Sequence, residues 1–125
     1  MGKFENFLKD FDFSSFIPKD EVVPLKMHLG NRGAFRTIRP QFVRLVVDAV
    51  RRVPAKPFVT DSVRVPGYDY LEVAKDAGYT HLTLNAPVVL ADGIFGNDSI
   101  KVYAGDLLGE MAVASAIHMQ NRWWF

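Results

Sequence analysis

The amino-acid sequence predicts an α/β fold: a βαβαβ parallel-sheet core, a β-hairpin-rich C-terminal half and a short N-terminal helix. Three observations carry that expectation. Strand-like and helix-like stretches alternate from Val22 to Leu84, an order that right-handed crossovers turn into a parallel sheet. The helix opened by Pro40 is apolar over more of its circumference than a surface helix needs, so it is expected to lie against that sheet. After Pro87, short β-like runs are separated by Asp92-Gly93, Gly96-Asn97 and Gly105-Asp106, the dipeptides of tight turns.

Taken in order, residues 3–13 place Phe4, Phe7, Leu8 and Phe11 at helical spacing, with charged residues mostly on the other faces. The run from Val22 to His28 reads as the first strand, with Pro24 near its start. In the Pro40 helix, Gln41, Arg44, Asp48 and Arg51 make a polar stripe opposite Phe42, Val46, Ala49, Val50 and Val53. Pro54 and Pro57 bracket the following turn, and Phe58-Val59-Thr60 is a short apolar strand that ends in polar Asp61-Ser62. Pro66-Gly67 marks a loop. Residues 69–77 form a second helix with Leu71, Val73 and Ala74 inward, stopped by Gly78. His81 to Leu84 alternates as a third strand would. Pro87–Leu90, Ser99–Ala104 and Glu110–Ile117 are expected to be strands of antiparallel hairpins.

With 125 residues, 49% apolar and 23% charged, the chain matches an ordinary globule and is expected to make one domain over 1–125. A chain of this size buries roughly two-thirds of its unfolded surface, enough for a core without staples. Fifteen basic and fourteen acidic residues leave a charge of +1 with no basic block, which argues against a nucleic-acid partner. The absence of cysteine excludes disulfides, thiolate nucleophiles and cysteine-ligated clusters. Neither a signal-peptide stretch nor an apolar run of membrane-spanning length is present, so a cytoplasmic protein without membrane partner is expected. His81 and His118 lack metal-ligand spacing, and neither a metal nor a cofactor is expected.

Ligands of open α/β sheets bind outside the carboxyl ends of the strands. There the sequence puts Lys26 and His28 after the first strand, Thr60 and Asp61 after the second, and Asn85 after the third. The 11-residue segment Leu29–Arg39 is longer than the roughly 2–6 residues such connections take. Its glycines, Gly30 and Gly33, allow close backbone approach, while Arg32, Arg36 and Arg39 can meet an anion and the start of the Pro40 helix supplies a positive dipole end. Arg39 cannot cap that helix as Ser or Asp would, so an external carboxylate or phosphate could serve. The competing reading is a solvated loop whose arginines pair with Asp48 or Glu21. Adjacent first and second strands would also pair His28 with Asp61 as a general base and its orienting carboxylate. The competing reading there is a hydrogen-bonded structural histidine. Trp123-Trp124-Phe125 is either an anchor on the domain or a patch for a partner.

A series of residues resembles one known family. Leu25-Lys26-Met27-His28-Leu29-Gly30, Gly33, Ile38-Arg39-Pro40 with Phe42-Val43-Arg44 and Val47-Asp48, and Lys56-Pro57-Phe58-Val59-Thr60-Asp61 begin it. Gly78-Tyr79, Ala86-Pro87-Val88-Val89, Ala91-Asp92-Gly93, Gly96-Asn97-Asp98 and Ala114-Ser115-Ala116-Ile117 continue it. Over about residues 20–117 this ordered set resembles the opening domain of the domain of unknown function 362 family. The resemblance implies a longer chain with further strands, a histidine- and glycine-rich segment and often a ferredoxin-like cysteine cluster. Without cysteine the cluster is not carried over, the stretch between Asp61 and Leu71 is shorter than the family's polar loop, and the residues after Ile117 depart from the family's continuation. The chain is therefore expected to be a truncated relative whose uncovered sheet edge favours a homo-oligomer.

Three functions follow as expectations. The first is a noncatalytic or vestigial domain that binds a small anionic ligand through Lys26, His28, Gly30, Gly33, Arg36, Arg39, Thr60, Asp61 and Asn85. The second is an enzyme with His28 and Asp61 as acid/base pair. The third is a purely structural homo-oligomer.

Overall fold

A computed structural model describes residues 2–63 and 66–118. The helix α1 (Gly2–Asp10) is followed by a single 3-10 turn and the strand β1 (Val22–Lys26), then α2 (Pro40–Arg51) and β2 (Lys56–Asp61). Next come α3 (Gly67–Asp76), the four-residue α4 (His81–Leu84) and β3 (Val88–Leu90). A hairpin of β4 (Ser99–Tyr103) and β5 (Glu110–Ala114) leads into the short α5 (Ser115–His118).

The strands β1, β2 and β3 form a parallel sheet in that order, with Leu25 opposite Val59 and Val59 opposite Val88. This is the expected α/β architecture, with one of its strands in a different place. Residues 81–84 are helical because Thr80 and Thr83 form a capping box: the Thr83 amide donates to Thr80 Oγ1 at 3.2 Å and the Thr80 amide donates to Thr83 Oγ1 at 3.0 Å. That local pairing satisfies the first-turn amides a strand would have to expose. Asn85 then ends the turn in the left-handed region, at φ 56°. The third parallel strand is Val88–Leu90, so the expectation of an antiparallel strand there is corrected: the Val59 amide donates to Pro87 O at 2.8 Å and locks the chain beside β2.

Other boundaries shift by a few residues. The first strand ends at Lys26 rather than His28, the second begins at Lys56, and the last strand stops at Ala114, where α5 begins. The N-terminal helix ends at Asp10. The hairpin β4–β5 is antiparallel as expected, with Ser99 opposite Ala114.

The core explains why α2 is so apolar. Val43 and Val47 pack with Val59 of β2, Tyr70, Val73 and Ala74 of α3, Leu84 and Leu90, while Val50 joins Ile17 and Ala55 in a second cluster. Because β2 is flanked by strands on both edges and covered on both faces, every residue from Pro57 to Asp61 is buried. α1 is held by an edge-to-face contact of Phe4 with Phe42, ring centroids 5.6 Å apart, and by Arg52 donating to Leu8 O. The outer parts of the hairpin are less covered, with Leu107, Leu108 and Tyr103 exposed.

Candidate functional site

The carboxyl end of a central parallel strand is where neighbouring loops converge, and Asp61 closes β2 there. The residue is 3% exposed, yet its carboxylate is fully engaged. Oδ1 accepts from Lys26 Nζ at 2.5 Å and from the Ser62 amide at 2.9 Å. Oδ2 accepts from the Leu29 amide at 3.1 Å, from His28 Nδ1 at 3.2 Å and from the Tyr70 hydroxyl. These donors come from β1, from the segment just after it, from the residue that follows β2 and from α3. The parallel register places Lys26 opposite Thr60, one residue before Asp61, so the pairing of β1 with β2 is what brings the lysine into reach.

Burial pushes the Asp61 carboxyl up, since it removes water from the charged form, but the hydrogen bonds of Lys26, Tyr70 and Leu29 outweigh it and hold the pKa down from 3.8 to about 2. The group is a carboxylate at neutral pH. A carboxylate only accepts, so His28 Nδ1 must carry the proton in this contact, which leaves Nε2 as the nitrogen open to a ligand. A carboxylate has about four lone-pair sites, and five donors crowd these two oxygens. His28 makes the longest of the five contacts and its side chain is 48% exposed, so it is the donor that an incoming group can most easily draw away.

Lys26 is half exposed at this edge. Thr60 is fully buried and its hydroxyl donates to Val89 O at 2.8 Å, tying β2 to β3. Gly30 is buried with φ 99°, and a Cβ there would come within 2.9 Å of Thr37, so the close loop return needs glycine. Gly33, Arg36 and Arg39 are exposed along the loop, Arg36 near the ring of Phe35. Arg39 precedes α2 without any side-chain cap, as its chemistry predicts. Asn85 is not brought to the cluster: with residues 81–84 helical, its Nδ2 donates instead to Asp48 Oδ1 at 3.3 Å, beside the Arg44–Asp48 ion pair. The pairing of Asp48 with Arg44 also leaves it no part in the loop arginines. Trp123, Trp124 and Phe125 lie outside the described residues.

Sequence reasoning missed Tyr70, the buried donor from α3. The signal was present: Tyr70 stands three and four residues before Val73 and Ala74, and that spacing shares one helix face. Tyr70 also lines a cavity of about 390 Å³ between the Gly30 loop and the start of α3. Among the described residues no group of three His, Asp or Glu is gathered as a metal site, and no helix is long and apolar enough to cross a membrane.

A family model described as a domain of unknown function (DUF362) matches residues 23–121. The match runs past Ile117, so the residues immediately after α5 fall within the family pattern rather than outside it. No curated protein and no solved structure matches the chain.

Proposed function

Since the chain belongs to the domain of unknown function 362 family, whose description assigns no activity, we propose from the site's geometry that it binds a small anionic ligand at the carboxyl edge of the parallel sheet. One observation carries this reading: Asp61, buried and ionised, presents two half-exposed donors, Lys26 and His28, side by side at the head of a loop with exposed arginines. The carboxylate holds Lys26 in position before a ligand arrives, which lowers the ordering cost of binding, and His28 is the more readily displaced of the two. An anion here accepts from the remaining protons of Lys26 Nζ, and from Nε2 of His28 when the ring carries its second proton. Thermal unfolding in the presence of phosphate, nucleotides and small carboxylates tests it. A rise in melting temperature with at least one of them, lost in Lys26→Ala with His28→Ala, is expected; no rise with any of them removes the proposal.

A second reading is favoured by the 3.2 Å contact of His28 with Asp61. A histidine whose Nδ1 is held by a buried carboxylate is arranged as a general base at Nε2. In this reading His28 exchanges a proton with the bound ligand and Asp61 orients the ring. Diethyl pyrocarbonate should then modify His28 faster than the exposed His81, and Asp61→Asn should erase that difference; equal rates in the parent chain count against acid/base work.

A further inference from the structure

The cavity beside the Asp61 cluster is lined by charges of both signs. Its lining includes Arg32 from the Gly30 loop and Asp69 from the first turn of α3, together with Pro66, Tyr70 and Val73, and its volume is about 390 Å³. Pockets of some 300–1,000 Å³ hold small molecules. The side chains of Arg32 and Asp69 have no hydrogen-bond or ion-pair partner among the described residues, whereas Lys26 and Asp61 nearby are joined to each other. An arginine and a carboxylate that line one cavity without meeting leave room between them for a group that satisfies both.

We infer that this cavity takes a small zwitterion carrying a carboxylate and an ammonium on a short carbon frame, the chemistry of a free α-amino acid. The inference goes beyond the anion-binding reading, since the carboxylate of this ligand is met by Arg32 rather than by Lys26 or His28. Arg32 offers a planar fork that matches a carboxylate in two parallel hydrogen bonds. Asp69 accepts from the ammonium, and the first turn of a helix is a favourable place to keep such a carboxylate. Val73 and Pro66 supply an apolar wall for the carbon frame. Tyr70 links the two parts of the site, since the residue lines the cavity while its hydroxyl donates to Asp61. A ligand with one charge leaves the opposite wall unpaired, so discrimination against plain carboxylates and plain amines is built into the site.

Calorimetric titration of the full chain with L-alanine, propionate, ethylamine and inorganic phosphate tests this. Alanine is expected to bind at least tenfold more tightly than propionate or ethylamine. Asp69→Asn should remove that preference while leaving propionate within twofold, and Arg32→Ala should weaken alanine and propionate alike. Both residues are exposed, so unchanged melting temperatures of the free variants show that folding is intact. Alanine binding no tighter than propionate, or alanine binding that ignores both substitutions, overturns the zwitterion. If phosphate still binds through Lys26 and His28 in that case, the anion-binding reading stands without it; if none of the four binds, both fall.

Discussion

The Tyr70 hydroxyl donates a hydrogen bond to Asp61, and both side chains are buried, at 1% and 3% exposure. This contact joins the start of α3 to the end of the central strand, so a helix whose inner face is otherwise apolar is anchored through a charge. Hydrogen bonds to charged groups contribute about 1.5–3 kcal/mol each, more than neutral ones, because the acceptor cannot recover water once buried.

Removing only the hydroxyl isolates that contribution. Tyr70→Phe keeps the ring in the core and should lower stability by about 2 kcal/mol in urea unfolding, with little change in the slope. It should also raise the Asp61 pKa, since Tyr70 is among the donors that hold it down. A loss under about 0.5 kcal/mol would mean that Asp61 does not need this donor.

Acid should unfold the chain partly through Asp61. Its pKa is about 2 in the folded chain against 3.8 for the free group, so the folded state binds the proton less readily than the unfolded state. The resulting stability is complete above about pH 5 and is lost as the pH falls through about 2, amounting to roughly 2 kcal/mol. The stability gap between the parent chain and Asp61→Asn, measured by denaturant titration at successive pH values, should be widest near neutrality and narrow over that window. A gap that stays constant from pH 6 to pH 2 contradicts the assignment.

Much of this arrangement was legible in the sequence, and the failures have identifiable physical origins. The Pro40 helix, the Lys26, His28 and Asp61 cluster and the final hairpin follow from proline position, strand polarity and turn dipeptides, all of them local signals. Residues 81–84 misled because four alternating residues fit a strand as well as one helical turn, and the Thr80–Thr83 pairing that decides between them is a side-chain contact rather than a periodicity. That error carried Asn85 with it. Tyr70 was overlooked because an aromatic on an apolar face reads as core; its hydroxyl partner lies nine residues away, in another element.

The capping box itself is testable. Thr80→Ala removes the acceptor for the Thr83 amide and should cost about 1 kcal/mol, whereas Thr80→Ser keeps the acceptor and should cost less. A strand at this position would predict the reverse sensitivity, with the β-branched side chain mattering and the hydroxyl not. Thermal unfolding of the two variants separates the cases.

Gly67 opens α3 directly beneath the turn at Ile94, whose carbonyl accepts from the Gly67 amide at 3.0 Å. A Cβ at this position would stand 2.2 Å from that oxygen, which belongs to the backbone and cannot rotate away. Gly67→Ala should therefore cost about 2 kcal/mol or more through overpacking, despite the better helix propensity of alanine. An unchanged or raised melting temperature would show that the turn moves aside freely.

The convergence of donors from several chain segments on one carboxylate constrains the order in which sequence change can be tolerated. Lys26, His28 and Tyr70 can each be replaced while the others still occupy Asp61, so changes among them are graded and strongly dependent on one another. Replacing Asp61 first removes the acceptor that all of them share. A lineage that abandons this site would be expected to relinquish the periphery before the hub, so that an aspartate at this position outlasts the partners that once required it.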